Sequence, residues 1–151
     1  MKDLTKAQTD RKAWLSLLAK APEGRISALL DDAVRRPEIT WLRVPEIGSV
    51  MVRGRAGGTG APFNLGEITV TRCTVRTSSG HVGHGYVQGR RKACAEAAAT
   101  VDALMQTEQA SLIRAQVLEQ LQETRDTVRK QRAAKAAATK VDFFTMVRGE
   151  D

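Results

Sequence analysis

The chain has 151 residues, of which 42% are hydrophobic and 4% aromatic, and its 24 Lys and Arg against 17 Asp and Glu give a net charge of +7. This length predicts one domain with a sizeable core, and the charge predicts either an anionic partner or simply a soluble basic surface. Two cysteines do not make a zinc framework or a CxxC redox motif. The N-terminal segment lacks the apolar run of a signal peptide, and no stretch is apolar enough to span a membrane, so we expect a cytoplasmic protein.

Helical spacing of apolar residues predicts two helices at the N-terminus. The first is expected to begin near Thr9 or Asp10, which could cap it. The second is expected to begin at Pro22 and to run to about Arg36, where Pro37 stops it.

The period then changes to that of β-strands. Pro45 separates the first two predicted strands, a glycine-rich loop follows the second, and the sequence SSGH at 78–81 predicts a hairpin turn before the last. The pattern therefore predicts a four-stranded, mainly antiparallel sheet, with strands at Ile39–Val44, Ser49–Arg55, Leu65–Thr77 and Val82–Gln88.

The third predicted strand changes its phase midway. Ile68 and Val70 share one face, whereas Cys73 and Val75 share the opposite face. We expect a β-bulge between them, because one extra residue would bring all four side chains to the same side.

From Arg90 onward the chain is almost free of Gly and Pro, and apolar residues keep helical spacing. This predicts one long helix, or two with a break near Thr107 to Ser111. Residues 125–140 carry six basic side chains and one acidic one. Such a stretch is either a solvated helical face or a surface that faces an anion.

The last segment, VDFFTMVRGED, is unusually apolar for a chain end, with five apolar residues in positions 141–147. Exposed apolar surface is costly in water. The segment is therefore expected either to fold back on its own sheet or to dock on another subunit; the candidate interface residues are Phe143, Phe144, Met146 and Arg148.

The loop GRAGGTGAP at 54–62 is a candidate anion site. It lacks the Lys-Ser/Thr of a P-loop, and the residues after it predict a strand rather than the helix that a phosphate loop feeds. A nest of backbone N–H groups could still hold an anion. The alternative is a plain turn that contacts a partner; the residues in question are Arg53, Arg55, Gly57, Gly58, Thr59 and Gly60.

A second candidate anion site lies where the C-terminal helices begin, at Gly89, Arg90 and Lys92. A helix N-terminus carries partial positive charge, so cations there are misplaced unless an anion binds. Alternatively, salt and Glu96, one turn later, screen the penalty.

No complete active site can be assembled from the remaining polar residues. His81 and His84 fall on opposite faces of a strand, which disfavours a shared metal. Glu96, Asp102 and Glu108 lie on predicted helix with no partner base or nucleophile in view. Basic charge supports a nucleic-acid-binding module as an alternative, but few aromatic side chains are available for base stacking.

Four sequence blocks in the right order resemble the PhnG family, the G subunits of the bacterial carbon–phosphorus lyase system. They are RAGGTGAPFNLGEITVTRCTVR, GYVQGRRKACAEAA, VDALMQ and VDFFTMVRGED, and the resemblance runs from about Trp14 to Asp151. It implies one PhnG-like domain, 1–151, with 140–151 as a partner-docking tail. With the elements above, the expected fold is α+β: N-terminal helices, a four-stranded sheet, long C-terminal helices and the tail.

The resemblance also implies a role. PhnG family members form a core complex with the H, I and J subunits, and with the L subunit they support transfer of the ribose triphosphate of ATP to methylphosphonate, releasing adenine. This chain is then expected to be a scaffold or co-catalytic subunit in phosphonate catabolism. ATP is a substrate of the complex, and no catalytic residue, metal or cofactor is assigned to this chain. An enzyme in its own right is the remaining alternative.

Overall fold

The structure, a computed structural model, describes residues 4–140 and confirms the α+β class. Two helices precede a three-stranded sheet, and further helices follow it. The elements are α1 (Lys6–Leu18), α2 (Arg25–Ala33), β1 (Ile39–Arg55), β2 (Pro62–Thr77), β3 (Val82–Gln88), α3 (Lys92–Leu104), α4 (Ala110–Ile113), a π-helical turn (Arg114–Leu118) and α5 (Glu119–Ala138). No helix in this part of the chain combines the length and the apolarity that crossing a bilayer requires.

Helix α1 begins earlier than predicted because of a capping box. The Thr5 hydroxyl accepts a hydrogen bond from the Gln8 N–H, and the Gln8 side chain accepts one from the Thr5 N–H. Helix α2 begins after Gly24, which has a φ of 72°, rather than at Pro22. It ends at Ala33, about one turn before the predicted end, because Val34 is already extended.

The prediction of four strands is wrong, because the first two are one continuous strand. β1 pairs antiparallel with β2 along its whole length, and β2 pairs antiparallel with β3. The register shifts between Trp41 and Arg43 and again between Arg43 and Glu46, on either side of Pro45. Because β1 lies at the sheet edge, these irregularities accommodate the proline without ending the strand.

The bulge predicted in β2 is also absent. β2 keeps an unbroken register with β3 from Val70 to Arg76, so its two halves do present opposite faces. Cys73 and Val75 join the core beneath the helices, whereas Val70 is buried outside that cluster. The phase change in the sequence therefore marks a change in which face of the sheet carries the apolar side chains.

Helix α3 packs on β3 at backbone distance. A Cβ atom added to Gly83 would lie 1.9 Å from the Ala99 carbonyl oxygen, and one added to Gly85 would lie 1.9 Å from that of Ala95. The facing residues of α3 are small and fully buried. Only glycine on the strand and alanine on the helix allow this approach, which builds a core with few large side chains.

The core joins this helix–sheet pair to the N-terminal helices and to the π-helical turn. Its members are mostly aliphatic; the largest fully buried ones include Leu18, Leu30, Val75, Val101, Ile113 and Val117. The chain breaks between α3 and α4, as one of the two sequence alternatives predicted. The Thr107 hydroxyl donates to the Leu104 carbonyl oxygen (2.7 Å) and accepts from the Gln109 N–H (3.2 Å), which closes the turn.

Asp102, which the sequence places on a helix with no base or nucleophile in view, is fully buried and fully hydrogen-bonded. Its Oδ1 accepts from Arg11 Nε (3.1 Å) and Trp14 Nε1 (2.8 Å), and its Oδ2 accepts from Arg11 Nη2 (2.7 Å) and the His84 N–H (2.9 Å). Burying a carboxylate is costly unless it is paired and hydrogen-bonded in this way. Asp102 therefore holds α1, β3 and α3 together and has a structural role.

We expect Gly85→Ala to lower the free energy of unfolding by about 1–3 kcal/mol or more, because the added methyl group forces the strand and helix backbones apart. Urea unfolding followed by circular dichroism measures the loss. Gly48→Ala is the matched control, since a Cβ at that strand position would lie 3.6 Å from the Arg72 guanidinium, an ordinary contact. Equal losses in the two variants would contradict the close-packing explanation.

Cys73 and Cys94 are both free and buried. Burial raises the pKa of the Cys73 thiol to about 11, so it stays protonated near neutral pH, and the thiolate is the reactive form. We expect iodoacetamide to alkylate Cys73 about 100-fold more slowly in the folded protein than in urea, as mass spectrometry of the labelled peptide would show. Rapid labelling of the folded protein would contradict this.

Candidate functional site

The hairpin of β1 and β2 extends well past the third strand. β3 pairs with β2 only over Val70–Arg76, and the Gly89 N–H makes the last bond, to the Thr69 carbonyl oxygen. The remaining part of the hairpin, residues 49–69, is two-stranded and is called the arm below. An isolated two-stranded hairpin is only marginally stable in water, and the arm has one strand fewer than the rest of the sheet.

The arm is amphipathic, since Val50 and Val52 alternate along β1 with Met51, Arg53 and Arg55. Cross-strand pairing puts Val50 opposite Ile68 and Gly54 opposite Phe63. One face therefore carries the apolar residues Val50, Val52, Phe63, Leu65 and Ile68, called the arm face below.

The arm face lacks a covering layer among the described residues. Phe63 is 45% exposed and Leu65 is 66% exposed. Among the described residues, the helical packing on the sheet is centred on β3, where Gly83 and Gly85 meet α3. An exposed apolar surface of this kind marks a protein contact site in many proteins.

The glycine-rich loop closes the tip of the arm as a turn. A short 3₁₀ segment, Ala56–Gly58, follows β1, and Gly57 and Gly58 have φ values of 59° and 80°. A Cβ on Gly60 would lie 2.7 Å from the Ala56 carbonyl oxygen. Each of these glycines thus meets a backbone requirement of the turn.

The two arginines beside the loop are used differently. Arg55 Nη1 donates to the Gly60 carbonyl oxygen (2.9 Å), which closes the turn. The side chains of Arg53 and Thr59 make no hydrogen bond or ion pair with the described residues. The geometry accounts for the loop as a turn, and anion contact at Arg53, Arg55 and Gly57 to Gly60 stays a proposal.

The start of α3 is organised by Arg91, which lies between the two cations of the predicted anion site. Arg91 Nη1 donates to the Ala21 carbonyl oxygen (3.0 Å) and Nη2 to that of Ala19 (3.4 Å), which ties the α1–α2 link to the sheet end. The Thr71 hydroxyl donates to the Gly89 carbonyl oxygen (2.6 Å) and accepts from the Arg91 N–H (3.0 Å). A strand threonine and an arginine distant in sequence give no local signal of this role.

The side chains of Arg90 and Lys92 make no hydrogen bond or ion pair with the described residues. Gly89 takes a φ of 85° to turn the chain from β3 into the helix. These three residues lie at the base of the arm, whereas the glycine loop lies at its tip. The strand between Thr69 and Pro62 separates them by roughly 20 Å at about 3.3 Å per residue, so the two predicted anion sites are separate.

The histidines each pair with a different hydroxyl group. His81 Nδ1 lies 3.0 Å from the Ser79 Oγ, and His84 Nδ1 lies 3.2 Å from the Thr74 Oγ1. Between residues 4 and 140, no three His, Cys, Asp or Glu side chains cluster closely enough to suggest a metal site.

A cavity of about 720 Å³ lies between the end of α2, the β2–β3 turn and the α3–α4 link. Arg35, His81 and Glu108 are among its lining residues, so its charges are of both signs. Arg36 also lines it, but its guanidinium is bound by Asp31; this hydrogen bonding lowers the pKa of Asp31 and raises that of Arg36. The mixed charge gives the cavity no preference for an anion.

The candidate interface residues of the tail, Phe143, Phe144, Met146 and Arg148, lie outside the described residues.

Comparison with known proteins identifies the family. The family model described as "Phosphonate metabolism protein PhnG" matches residues 9–149. A relative from Rhizobium meliloti (strain 1021), named "Alpha-D-ribose 1-methylphosphonate 5-triphosphate synthase subunit PhnG", is 46% identical over an alignment that spans all of both chains. The resemblance inferred from the four sequence blocks is thereby confirmed, and the chain belongs to the PhnG family of phosphonate metabolism proteins.

Proposed function

We propose that this chain is a non-catalytic or co-catalytic subunit of the carbon–phosphorus lyase complex in phosphonate catabolism. With partner subunits it supports transfer of the ribose triphosphate of ATP to methylphosphonate, with release of adenine. The proposed partners are the H, I and J subunits of the core complex and, functionally, the L subunit. We expect the complex to work in the cytoplasm.

The observation that carries the subunit role is the arm face. A hairpin that projects beyond the third strand with Phe63 and Leu65 exposed is poorly suited to a protein that works alone. A partner that covers the arm face would bury these side chains and stabilise the hairpin. The proposed tail residues Phe143, Phe144, Met146 and Arg148 would form a second docking segment at the end of the same chain.

The state of the polar residues supports a role without a complete active site in this chain. Asp102 uses both carboxylate oxygens in buried hydrogen bonds. The Cys73 thiol is buried, with a pKa of about 11, so it is poorly suited to act as a nucleophile. The transferase chemistry is therefore proposed to reside mainly on partner subunits.

Co-expression with the H, I and J subunits, followed by native mass spectrometry, tests the arm face. We expect Phe63→Ala with Leu65→Gln to weaken assembly about tenfold or more, because two large apolar side chains leave the interface. Met51→Gln is the control; Met51 is 50% exposed on the opposite face of the arm. Assembly that survives the double variant would refute docking through the arm face, and a wild-type chain that never assembles would refute the subunit role itself.

We also propose that Gly89, Arg90 and Lys92 contact a substrate anion or a partner carboxylate in the assembled complex. Arg90→Ala with Lys92→Ala is expected to raise the KM for ATP or for methylphosphonate about tenfold, because charge-assisted hydrogen bonds are lost. Steady-state adenine release measures this. Lys12→Ala with Lys130→Ala removes the same charge from exposed sites elsewhere and should leave KM unchanged; identical effects in both variants would argue against a local anion site.

A further inference from the structure

A groove of about 500 Å³ lies between the end of α1 and the solvent-facing part of α5. Its floor is apolar, with Leu17, Ala21 and Leu121 buried and Val128 41% exposed. Pro22 closes one side, and the Thr124 side chain also lines the groove. A volume of this size suits a small organic ligand.

The rim of the groove is strongly cationic. Lys20 comes from the α1 side, and Arg125, Arg129 and Arg132 come from α5. Among residues 4–140, no Asp or Glu side chain lines the groove. Within residues 4–140, Arg125 has one ion pair, a long one of 3.8 Å to Asp126, and the other three cations have none.

This arrangement is unfavourable without a counter-charge. Arg125, Arg129 and Arg132 follow one another at i+4 and i+3 spacing, which brings like charges together on one face of the helix and destabilises it. Lys20 adds a fourth positive charge across the groove. Arg91 already donates to the carbonyl oxygens of Ala19 and Ala21, so Lys20 is not needed to satisfy that end of α1.

We propose that this groove binds a small-molecule anion that carries several phosphoryl groups. Arginine guanidinium groups donate paired hydrogen bonds that match phosphate oxygens, and three arginines line this groove. The apolar floor accepts an uncharged part of the same molecule, as in a nucleoside polyphosphate. The basic stretch 125–140, which the sequence left open as a solvated face or an anion-facing surface, is thus assigned in part to a ligand site. The inference stands on this geometry and does not depend on the subunit role.

Isothermal titration of the full-length chain with inorganic triphosphate and with ATP, in buffer without divalent cations, tests the site. We expect both probes to bind, and Arg129→Ala or Arg132→Ala to weaken each about tenfold or more. Lys130→Ala is the matched control: it is the next residue on the same exposed helix, loses the same charge and does not line the groove. The affinity of the Lys130→Ala variant for either probe is expected to change less than about twofold.

Adenosine alone and Val128→Asn separate the two sources of affinity. If ATP binds more tightly than triphosphate and Val128→Asn removes the difference, the apolar floor contacts the nucleoside. If ATP and triphosphate bind with equal affinity, the groove recognises the polyphosphate alone. Either result supports the proposal. Undetectable binding of both probes at millimolar concentration would overturn it, as would equal weakening by Arg129→Ala and Lys130→Ala. Binding of a single-stranded oligonucleotide that competes with triphosphate and depends equally on Lys130 would indicate a diffuse nucleic-acid surface instead.

Discussion

The backbone contact between α3 and β3 is the constraint on which the rest of the structure depends. Gly83 and Gly85 leave the strand bare, and the carbonyl oxygens of Ala99 and Ala95 occupy the space that side chains would fill. At this distance the backbones of α3 and β3 are in direct contact. The alanine-rich composition of α3, which would otherwise build a weak core, is what allows the approach, because close packing replaces large side chains.

Asp102 fixes the position of α1 against this helix–strand pair. Its carboxylate lies on α3, accepts the His84 N–H from β3 and holds Arg11 and Trp14 from α1. Removing any of these donors would leave a buried negative charge under-paired, so the pairing specifies where α1 sits. The position of α1 in turn sets one wall of the groove that it forms with α5.

The helical layer covers only part of the sheet, and this division separates the stable body from the candidate interaction surfaces. Where α3 lies on β2 and β3, the apolar residues of the strands point to the core. Beyond Thr69 the sheet has two strands, and its apolar residues lie on the other face. The arm thus leaves Phe63 and Leu65 exposed among the described residues. The cationic side chains divide in a similar way. Those of Arg11 and Arg91 hold elements of the body together. Those of Arg90, Lys92, Arg129 and Arg132 have no hydrogen-bond or ion-pair partner among the described residues.

The sequence by itself determined the family, most of the helical segments and the amphipathic alternation of the arm, and it left the break between α3 and α4 as one of two alternatives. Those features depend on local periodicity, turn residues or ordered sequence blocks, all of which can be read from neighbouring positions. Only the tertiary structure decided that the strands on either side of Pro45 are one, since tolerance of a proline depends on the strand lying at the sheet edge. It also decided that the phase change in β2 needs no bulge, and that Arg11 belongs to Asp102, 91 positions away. Such pairings depend on which elements pack together, and the spacing of neighbouring residues does not show which elements these are.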